Sequence, residues 1–176
     1  STRPDEKKSL YTIKRFGPVG MGFDLIQPAF TIRIAQVEEG SPAAKTGKLA
    51  KGQTVETING KALTNIDPRI QLGQILASAE ASDGILKFAI KGETDPVIVK
   101  VPVLGAYSKT WPLDCPKSDK IVRGVADYLS QPDAQKGLAD IGMLFLLSTG
   151  EDKDLEVVRE WARNAKPHRY PWYIGY

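Results

Sequence analysis

Three glycines near the start of the chain are the residues whose type and spacing could do chemistry. Gly17, Gly20 and Gly22 lie in one short stretch, and Phe23 follows the last of them. Glycine adopts positive φ angles readily and lets the backbone come close to a ligand. The chemistry that this stretch offers is therefore hydrogen bonding from backbone amides to a bound group.

Few other residues suggest reactive chemistry. Cys115 has no second cysteine with which to form a disulfide, and His168 has no second histidine or cysteine with which to share a metal. The acidic run Glu151-Asp152-Lys153-Asp154 lacks the spacing and the glycine of a calcium loop, so it is interpreted as helix capping and dipole compensation. We therefore predict no catalytic residue, no metal and no cofactor.

Composition limits the classes of partner. The chain has 176 residues, enough for one ordinary domain and part of another. Its 24 basic and 21 acidic side chains give a net charge of +3, so we expect a mixed solvated surface and no nucleic-acid partner. The longest apolar run, Met143 to Leu147, is far shorter than the roughly 20 residues of a membrane span. Ser1 opens the chain without a hydrophobic signal segment, which fits either a trimmed expression product or a mature secreted protein.

The glycine stretch lies between elements that the sequence pattern predicts. Ser41-Pro42 and Asp67-Pro68 are helix starts, each a capping side chain with proline at the first helical position, and Gly47 suits the end of the first helix. The Asn59-Gly60 pair is a strong turn signal that closes a strand entered from Gly52. Alternating apolar residues predict the other strands at residues 10–15, 23–27, 31–37, 85–90 and 97–103.

The order and spacing of these motifs resemble the PDZ domain family of the bacterial type. The resemblance rests on Gly20-Met21-Gly22-Phe23, Ser41-Pro42-Ala43-Ala44 and Asn59-Gly60, and it covers residues 10–103. It implies an α+β fold, a PDZ-like partly open β-barrel of five to six strands with two helices. Gln53 departs from the aspartate that the family commonly has at that position.

The resemblance also implies a peptide-binding site. The loop around Met21 and Gly22 would hold a terminal carboxylate with a nest of backbone amides, and the strand from Phe23 to Gln27 would offer a free edge to an antiparallel ligand strand. The second helix would form the far wall of the groove. The implied peptide-binding residues are Gly20, Met21, Gly22, Phe23, Asp24, Leu25, Ile26, Pro68, Leu72 and Ile75.

The far wall departs from well-known family members. Many of them carry a histidine at the first position of the wall, where it contacts a ligand hydroxyl, and that position falls on Pro68 here. A Ser/Thr preference set by that position is therefore not expected. Leu72 and Ile75 fit either a groove wall that favours apolar ligands or an ordinary core, and the sequence leaves both interpretations open.

The remaining segments are assigned by composition and period. Residues 1–9 are predicted to be a mobile tail and residues 104–117 a linker packed down by Tyr107 and Trp111. Apolar residues at helical spacing predict about three α-helices in residues 118–176. Ser118 would cap the first of them, whose apolar positions are Ile121, Val122, Val125, Tyr128 and Leu129. The second runs from about Ala134 to Thr149, and the third contains Leu155, Val158, Trp161, Ala162 and Ala165.

Met143, Leu146 and Leu147 make the end of the second C-terminal helix apolar nearly all round, so we expect this helix to need neighbours on more than one side. The aromatic end at residues 170–176 is unusual for a soluble domain, and Ile174-Gly175-Tyr176 echoes Ile141-Gly142-Met143 at a period typical of helical-hairpin repeats. Helix pairs that carry Gly150-Glu151 after an apolar run resemble the α/α-toroid repeats of bacterial proteins. We therefore expect residues 118–176 to be the truncated start of such a helical domain in a longer protein.

Three functions follow as hypotheses. The leading one is a peptide- or protein-binding module that takes a C-terminus or an internal strand. The second is an intramolecular clamp whose groove is filled by the linker or by the chain's own helical domain. The third is the regulatory PDZ domain of an enzyme whose catalytic part is not in this sequence. The resemblance implies an extracytoplasmic location, periplasmic or secreted, in a bacterium.

Overall fold

The structure, a computed structural model, describes residues 10–63 and 68–164. These residues form an α+β fold with a six-stranded antiparallel sheet and four α-helices, three of which follow the sheet. The strands are β1 (Leu10–Ile13), β2 (Met21–Ile26), β3 (Thr31–Val37), β4 (Thr54–Ile58), β5 (Ile85–Ile90) and β6 (Val97–Lys100). The helices are α1 (Pro68–Ala81), α2 (Pro116–Leu129), α3 (Pro132–Thr149) and α4 (Asp152–Asn164).

The chain divides into two compact units, Ser1–Tyr107 and Ser108–Tyr176. The first, called the sheet unit, contains β1 to β6 and α1. The second, called the helical unit, contains α2, α3 and α4. The division falls within the segment that composition predicts to be a linker.

The strands follow one another in space in the order in which they follow one another in sequence. The sheet order is β1-β2-β3-β4-β5-β6, and every neighbouring pair is antiparallel. The β3–β4 ladder is short, with only Ile32 opposite Val55 and Arg33 opposite Thr54. The order makes β1 and β6 the edge strands, so β2 lies inside the sheet.

Alternating apolar side chains of β2 to β6 build the core of the sheet unit, together with one face of α1. Phe16 and Phe23 pack with ring centroids 5.4 Å apart. The edge strand β1 contributes less to this core, since Tyr11 and Ile13 are only partly buried against it. The fully buried strand side chains include Met21, Phe23, Leu25, Ile32, Ile34, Ile58, Leu86, Phe88 and Val99.

The helix predicted from Ser41 to Gly47 is a short 3-10 turn, Ala44–Thr46. The predicted signals act locally as expected, because the Ser41 hydroxyl accepts the amide of Ala44 at 3.1 Å and Gly47 takes a positive φ of 64°. Thr46 also donates its hydroxyl to the carbonyl of Ala43 at 2.7 Å. So few residues separate the two end signals that only one turn forms between them.

Two of the three helices in the helical unit begin with a proline residue. α2 begins at Pro116 with Cys115 before it, rather than at Ser118, and α3 begins at Pro132 rather than at Ala134. Proline suits the first helical position because its missing amide would have no helical acceptor there. α3 ends at Thr149, where Gly150 takes the left-handed conformation with φ 69°.

The core of the helical unit is small. Among the described residues, Ala126 and Leu129 of α2 meet Met143 and Leu146 of α3, with α4 side chains partly buried against them. α2 forms as predicted, but of its five apolar positions only Leu129 is buried. The other four are exposed, namely Ile121, Val122, Val125 and Tyr128.

Across the described part of the chain, no helix has the length and apolar character needed to cross a membrane. Several predictions concern residues outside that part. They are the mobile tail at residues 1–9, the capping role of Asp67, the last turn with Ala165, and the aromatic end at residues 170–176 with its repeat echo.

Candidate functional site

Both edges of β2 are paired. β3 covers one edge along the whole strand, and β1 covers the other from Phe23 to Ile26. The prediction that residues 23–27 offer a free edge is therefore wrong. The physical reason is the short connection between β1 and β2, which lets the preceding strand fold back on its neighbour as a hairpin.

The strand β1 lies on β2 in the direction that the resemblance implies for a ligand. Leu10 lies opposite Ile26 and Ile13 lies opposite Phe23, so β1 is antiparallel to β2 and runs toward the glycine stretch. A ligand strand with its carboxyl end at that stretch would have the same direction. The chain's own N-terminal strand therefore occupies the place that the resemblance assigns to a bound peptide.

Gly22 is required by the approach of the β1 end. A Cβ atom on Gly22 would lie 2.7 Å from the carbonyl oxygen of Lys14 and 2.9 Å from Cγ of Gln36. Gln36 Nε2 donates to that same Lys14 carbonyl at 2.9 Å. The register between β2 and β3 shifts between Gly22 and Phe23. The absence of a side chain at residue 22 thus serves the contact between β1, β2 and β3.

Gly20 is required by a second close approach. It has a φ of 73°, and a Cβ atom there would collide with the side chain of Ser41. Its carbonyl accepts the amide of Glu38 at 2.9 Å, and the carbonyl of Val19 accepts the amide of Ala43 at 3.1 Å. The glycine stretch is therefore packed against the Ser41 turn, which leaves no room for a bulky residue at position 20.

The predicted carboxylate loop is not an open loop. Met21, Gly22 and Phe23 belong to β2, and all three are buried. The residues before them form a short 3-10 turn, Gly17–Val19, and the amide of Phe16 donates to the carbonyl of Met21 at 2.6 Å. An anion bound from solvent needs exposed amides, so this form of the chain does not present the expected nest.

One polar row crosses the first three strands. Thr12 of β1 donates its hydroxyl to Oδ1 of Asp24 at 3.1 Å, and Arg33 of β3 donates to Oδ2 of the same carboxylate at 3.4 Å. Each pair is directly opposite in the strand register. Asp24 therefore touches both neighbouring strands with its side chain, unlike Leu25, which points into the core.

The predicted far wall of the groove is part of the core. Leu72 is 1% exposed and Ile75 is 5% exposed, and both belong to the core of the sheet unit. Pro68 is buried as well. Of the two interpretations that the sequence leaves open for Leu72 and Ile75, the structure supports the core.

Two surface cavities of the sheet unit lie away from the predicted site residues. One of about 330 Å³ lies between the end of α1 and β5, and its lining includes Asn59, Asp83 and Lys87. The other, of about 250 Å³, lies where β3 and β4 separate beyond their short ladder. Asn59 accepts the amide of Lys87 at 2.7 Å, and Asp83 accepts that of Ile85 at 3.0 Å. The side chains of Asn59 and Asp83 in the first cavity are therefore used to hold the backbone of β5.

The first residues of the linker are hydrogen bonded to the end of α1. The amides of Leu104 and Gly105 both donate to the carbonyl of Glu80, at 3.0 and 2.9 Å. Tyr107 is 51% exposed and Trp111 is 59% exposed, so both predicted packing side chains are only partly covered. The strand that covers β2 is β1, so the linker does not fill that edge.

The helical unit contains an ionic cluster that sequence analysis missed. Arg123 of α2 binds Asp154 of α4 through two bonds of 2.8 Å, and it also contacts Asp127 at 2.9 Å and Glu151 at 2.7 Å. The hydroxyl of Thr149 donates to Asp154 at 2.6 Å. The acidic run is thus tied to a guanidinium. The sequence feature that could have indicated this cluster was the spacing of Arg123 and Asp127, which is favourable for an ion pair on a helix.

The cluster shifts the titration of its members. The Arg123 guanidinium, helped by the Thr149 hydroxyl, holds the pKa of the Asp154 carboxyl below its usual range. Hydrogen bonds from Lys153 first, and from Arg123, lower the pKa of Asp127. The hydrogen bond between Arg123 and Asp154 raises the pKa of Arg123. Among the described residues, no group of His, Cys, Asp and Glu side chains is arranged to hold a metal ion.

Cys115 lies at the start of α2 and has no exposed surface. The Ser118 hydroxyl, followed by the Ser108 amide at 3.4 Å from the sulfur, lowers the pKa of this thiol to about 6. Both donors favour the thiolate. Burial keeps reagents away from it, so we assign it no reaction.

Comparison with known proteins adds one match. Residues 118–176 are similar to a family described as a domain of unknown function, DUF6288. No curated protein and no solved structure matches the chain. The family match begins inside α2 and lies within the helical unit, so it carries no information on the sheet unit that contains the candidate site.

Proposed function

We propose that residues 10–103 form a PDZ-like protein-interaction module that binds an extended segment of another chain by adding it to β2. The observation that carries the proposal is the antiparallel pairing of β1 with β2, which supports it because the internal strand on this edge already runs in the required direction. Main-chain hydrogen bonds supply the affinity in this mode of recognition, and alternate side chains supply the selectivity.

A ligand must replace β1, and several features make that exchange feasible. β1 has four residues, pairs with β2 alone and lies at the edge of the sheet. Its described apolar side chains are partly buried, whereas β2 to β6 each contribute fully buried ones. Exchange replaces one set of ladder hydrogen bonds with another, each worth about 1 kcal/mol net. The resulting affinity is weak, since only the fraction of molecules with β1 released is competent to bind.

The proposed ligand is an internal segment rather than a C-terminus. Met21 and Phe23 are buried, and Gly22 lies against the carbonyl of Lys14. β1 itself does not end at this stretch, because the chain continues through Lys14, whose carbonyl lies beside Gly22. The proposal therefore does not require a terminal carboxylate, although the resemblance implies one.

The same pairing favours a second candidate function, an internal structural clamp. In that case β1 stays on β2, and the sheet unit uses its own N-terminal strand where other modules use a ligand. The predicted clamp had the linker or the helices as occupant, and here the occupant of the β2 edge is β1. The two candidates differ in whether β1 leaves under native conditions.

A peptide library distinguishes them. Random peptides with amidated and with free carboxyl ends are selected on the full chain, and each hit is studied by titration calorimetry and amide hydrogen exchange. The proposal predicts micromolar to millimolar binding that is insensitive to amidation. It also predicts that bound peptide exposes the amides of Leu10–Ile13 to exchange while those of Met21–Ile26 stay protected.

Two outcomes would overturn the proposal. One is the absence of any binding peptide together with β1 amides that exchange as slowly as those of β5, which is the result that the clamp predicts. The other is a set of hits that leave the exchange of both β1 and β2 unchanged, which would place the binding surface elsewhere.

A further inference from the structure

The residue types of β1 indicate which residue types a ligand strand on β2 must have. We propose that β2 accepts an extended segment of another protein with an aromatic, a serine or threonine, and an aliphatic residue in succession, and that Asp24 selects the central hydroxyl. This inference rests on the proposed function. It takes the succession Tyr11-Thr12-Ile13, seated on β2, as the template for the ligand.

The two outer positions of the template are apolar for a structural reason. Tyr11 and Ile13 lie opposite Leu25 and Phe23, two fully buried residues, and both pack partly against the core. The ring of Tyr11 lies 6.4 Å from that of Phe30, in a tilted arrangement. A ligand with small or charged residues at these positions would leave this apolar surface uncovered.

The central position faces the other side of the sheet. Thr12 is exposed and donates its hydroxyl to Oδ1 of Asp24, directly opposite it in the register. Arg33 holds the second oxygen of the carboxylate from β3. The acceptor is thus oriented before the ligand strand arrives. Asp24 acts as a specificity-determining residue because its side chain binds the side chain of the ligand, whereas the backbone ladder binds any extended segment.

The occupant is a different protein rather than a second copy. Exchange of β1 between two copies forms no contact that each copy lacks on its own. The chain's own strand competes at a high effective concentration because it is linked to β2 by a short connection. A foreign segment must therefore present the residue types that β1 presents in order to displace it.

The first test uses the template itself as probe. A capped hexapeptide with the sequence of residues 8–13 is titrated against the full chain and against a full-length Ile13→Ser variant, in which β1 is weakened. We expect the variant to bind the probe at least about fivefold more tightly, because its internal competitor has lost apolar contact. Equal affinity for both chains would contradict the inference.

The second test addresses the hydroxyl. Replacing the probe threonine with valine, which keeps the shape, is expected to weaken binding by about five- to tenfold, the effect of one hydrogen bond to a partly exposed carboxylate. The Asp24→Ala chain should lose this preference. The matched control is Glu56→Ala, which removes an exposed carboxylate of β4 away from β1 and should keep it. A preference that survives Asp24→Ala would overturn the assigned role.

A third test remains decisive if the Ile13→Ser chain does not fold. Thr12→Cys combined with Asp24→Cys places two thiols at directly opposed positions of β1 and β2. Oxidation would lock β1 in place, so peptide binding should disappear on oxidation and return on reduction. Equal peptide binding by the oxidised and the reduced chain would refute the proposed function as well. If library peptides bind only the reduced chain but lack the succession of residue types, only the ligand assignment is refuted.

Discussion

The two units of this chain are held together in different ways. The sheet unit has a continuous apolar core in which β2 to β6 and α1 all bury side chains completely. Among its described residues the helical unit buries few side chains, and its helices are also joined by the ionic cluster around Arg123 and Asp154. Apolar side chains on α2 and α3 remain exposed, among them Ile121, Val125, Tyr128, Ile141, Leu144 and Leu147.

The difference teaches what an apolar pattern can specify. In the sheet unit, the alternation that predicts a strand also determines its buried face, because the neighbouring strands follow in sequence order. In the helical unit, the helical period predicts the helices but does not say which neighbour each face meets.

The two units also differ in tryptophan content, which makes fluorescence a probe of one unit. Trp111 and Trp161 belong to the helical unit, and residues 1–107 contain no tryptophan.

The largest expected effect is a cavity in the sheet unit. Phe88 of β5 has no exposed surface, so Phe88→Ala should lower the free energy of unfolding by about 3–5 kcal/mol. Denaturant unfolding followed by far-ultraviolet circular dichroism and by amide exchange of β5 measures the loss. The matched control is Ile98→Ala on β6, where the side chain is 51% exposed and the expected loss is well under 1 kcal/mol. Equal losses at both positions would contradict the apolar-core account.

The second effect concerns the ionic cluster. Asp154 is 1% exposed and accepts from Arg123 and Thr149, so Asp154→Ala should destabilise the helical unit by about 2–3 kcal/mol through the loss of charge-assisted hydrogen bonds. Tryptophan fluorescence during denaturant unfolding reports on this unit. The control is Asp152→Ala, an exposed carboxylate in the same helical turn, which should shift the midpoint little. A shift in β5 exchange instead would show that the cluster does not act locally.

The sequence predicts the strands of the sheet unit well because alternation and turn chemistry act over a few residues. The turn at Asn59-Gly60 and the helix start at Pro68 lie where those rules place them. The resemblance to PDZ domains predicts an open edge on β2, yet nothing local in Leu10–Ile13 says which strand it will pair with. That choice depends on Gly22, whose missing side chain admits the carbonyl of Lys14.

The candidate site is predicted less well than the fold. Phe23 to Ile26 are correctly placed on one strand, whereas Met21 and Gly22 belong to that strand rather than to the predicted loop. The role of Asp24 depends on Thr12 and Arg33 from two other strands. Leu72 and Ile75 illustrate the limit of helical spacing, which marks an apolar face without distinguishing a groove from a core. The contact between Arg123 and Asp154 joins residues 31 positions apart, so no local pattern announces it.

A smaller effect sharpens the comparison through helix propensity. Gly124 in α2 and Gly73 in α1 are exposed, and a Cβ atom at either would meet nothing within 4 Å. Alanine at each should stabilise its helix by about 1 kcal/mol. Gly124→Ala should raise the unfolding midpoint seen by tryptophan fluorescence, and Gly73→Ala should not. If both substitutions moved the fluorescence midpoint equally, the two units would unfold as one.

The last expected effect is a pH dependence in the helical unit. The pKa of Cys115 is lowered to about 6 in the folded chain from 9.0, chiefly by the Ser118 hydroxyl. A lowered pKa means that the thiolate favours folding: its contribution is complete above about pH 9, declines as pH falls and vanishes below about pH 6. The stability difference between the natural chain and Cys115→Ala should therefore rise with pH across this window. Thiolate absorbance measures the titration directly, and fluorescence-monitored unfolding at each pH measures its consequence. A difference that is flat, or that falls with rising pH, would show that the Ser118 and Ser108 donors do not stabilise the thiolate.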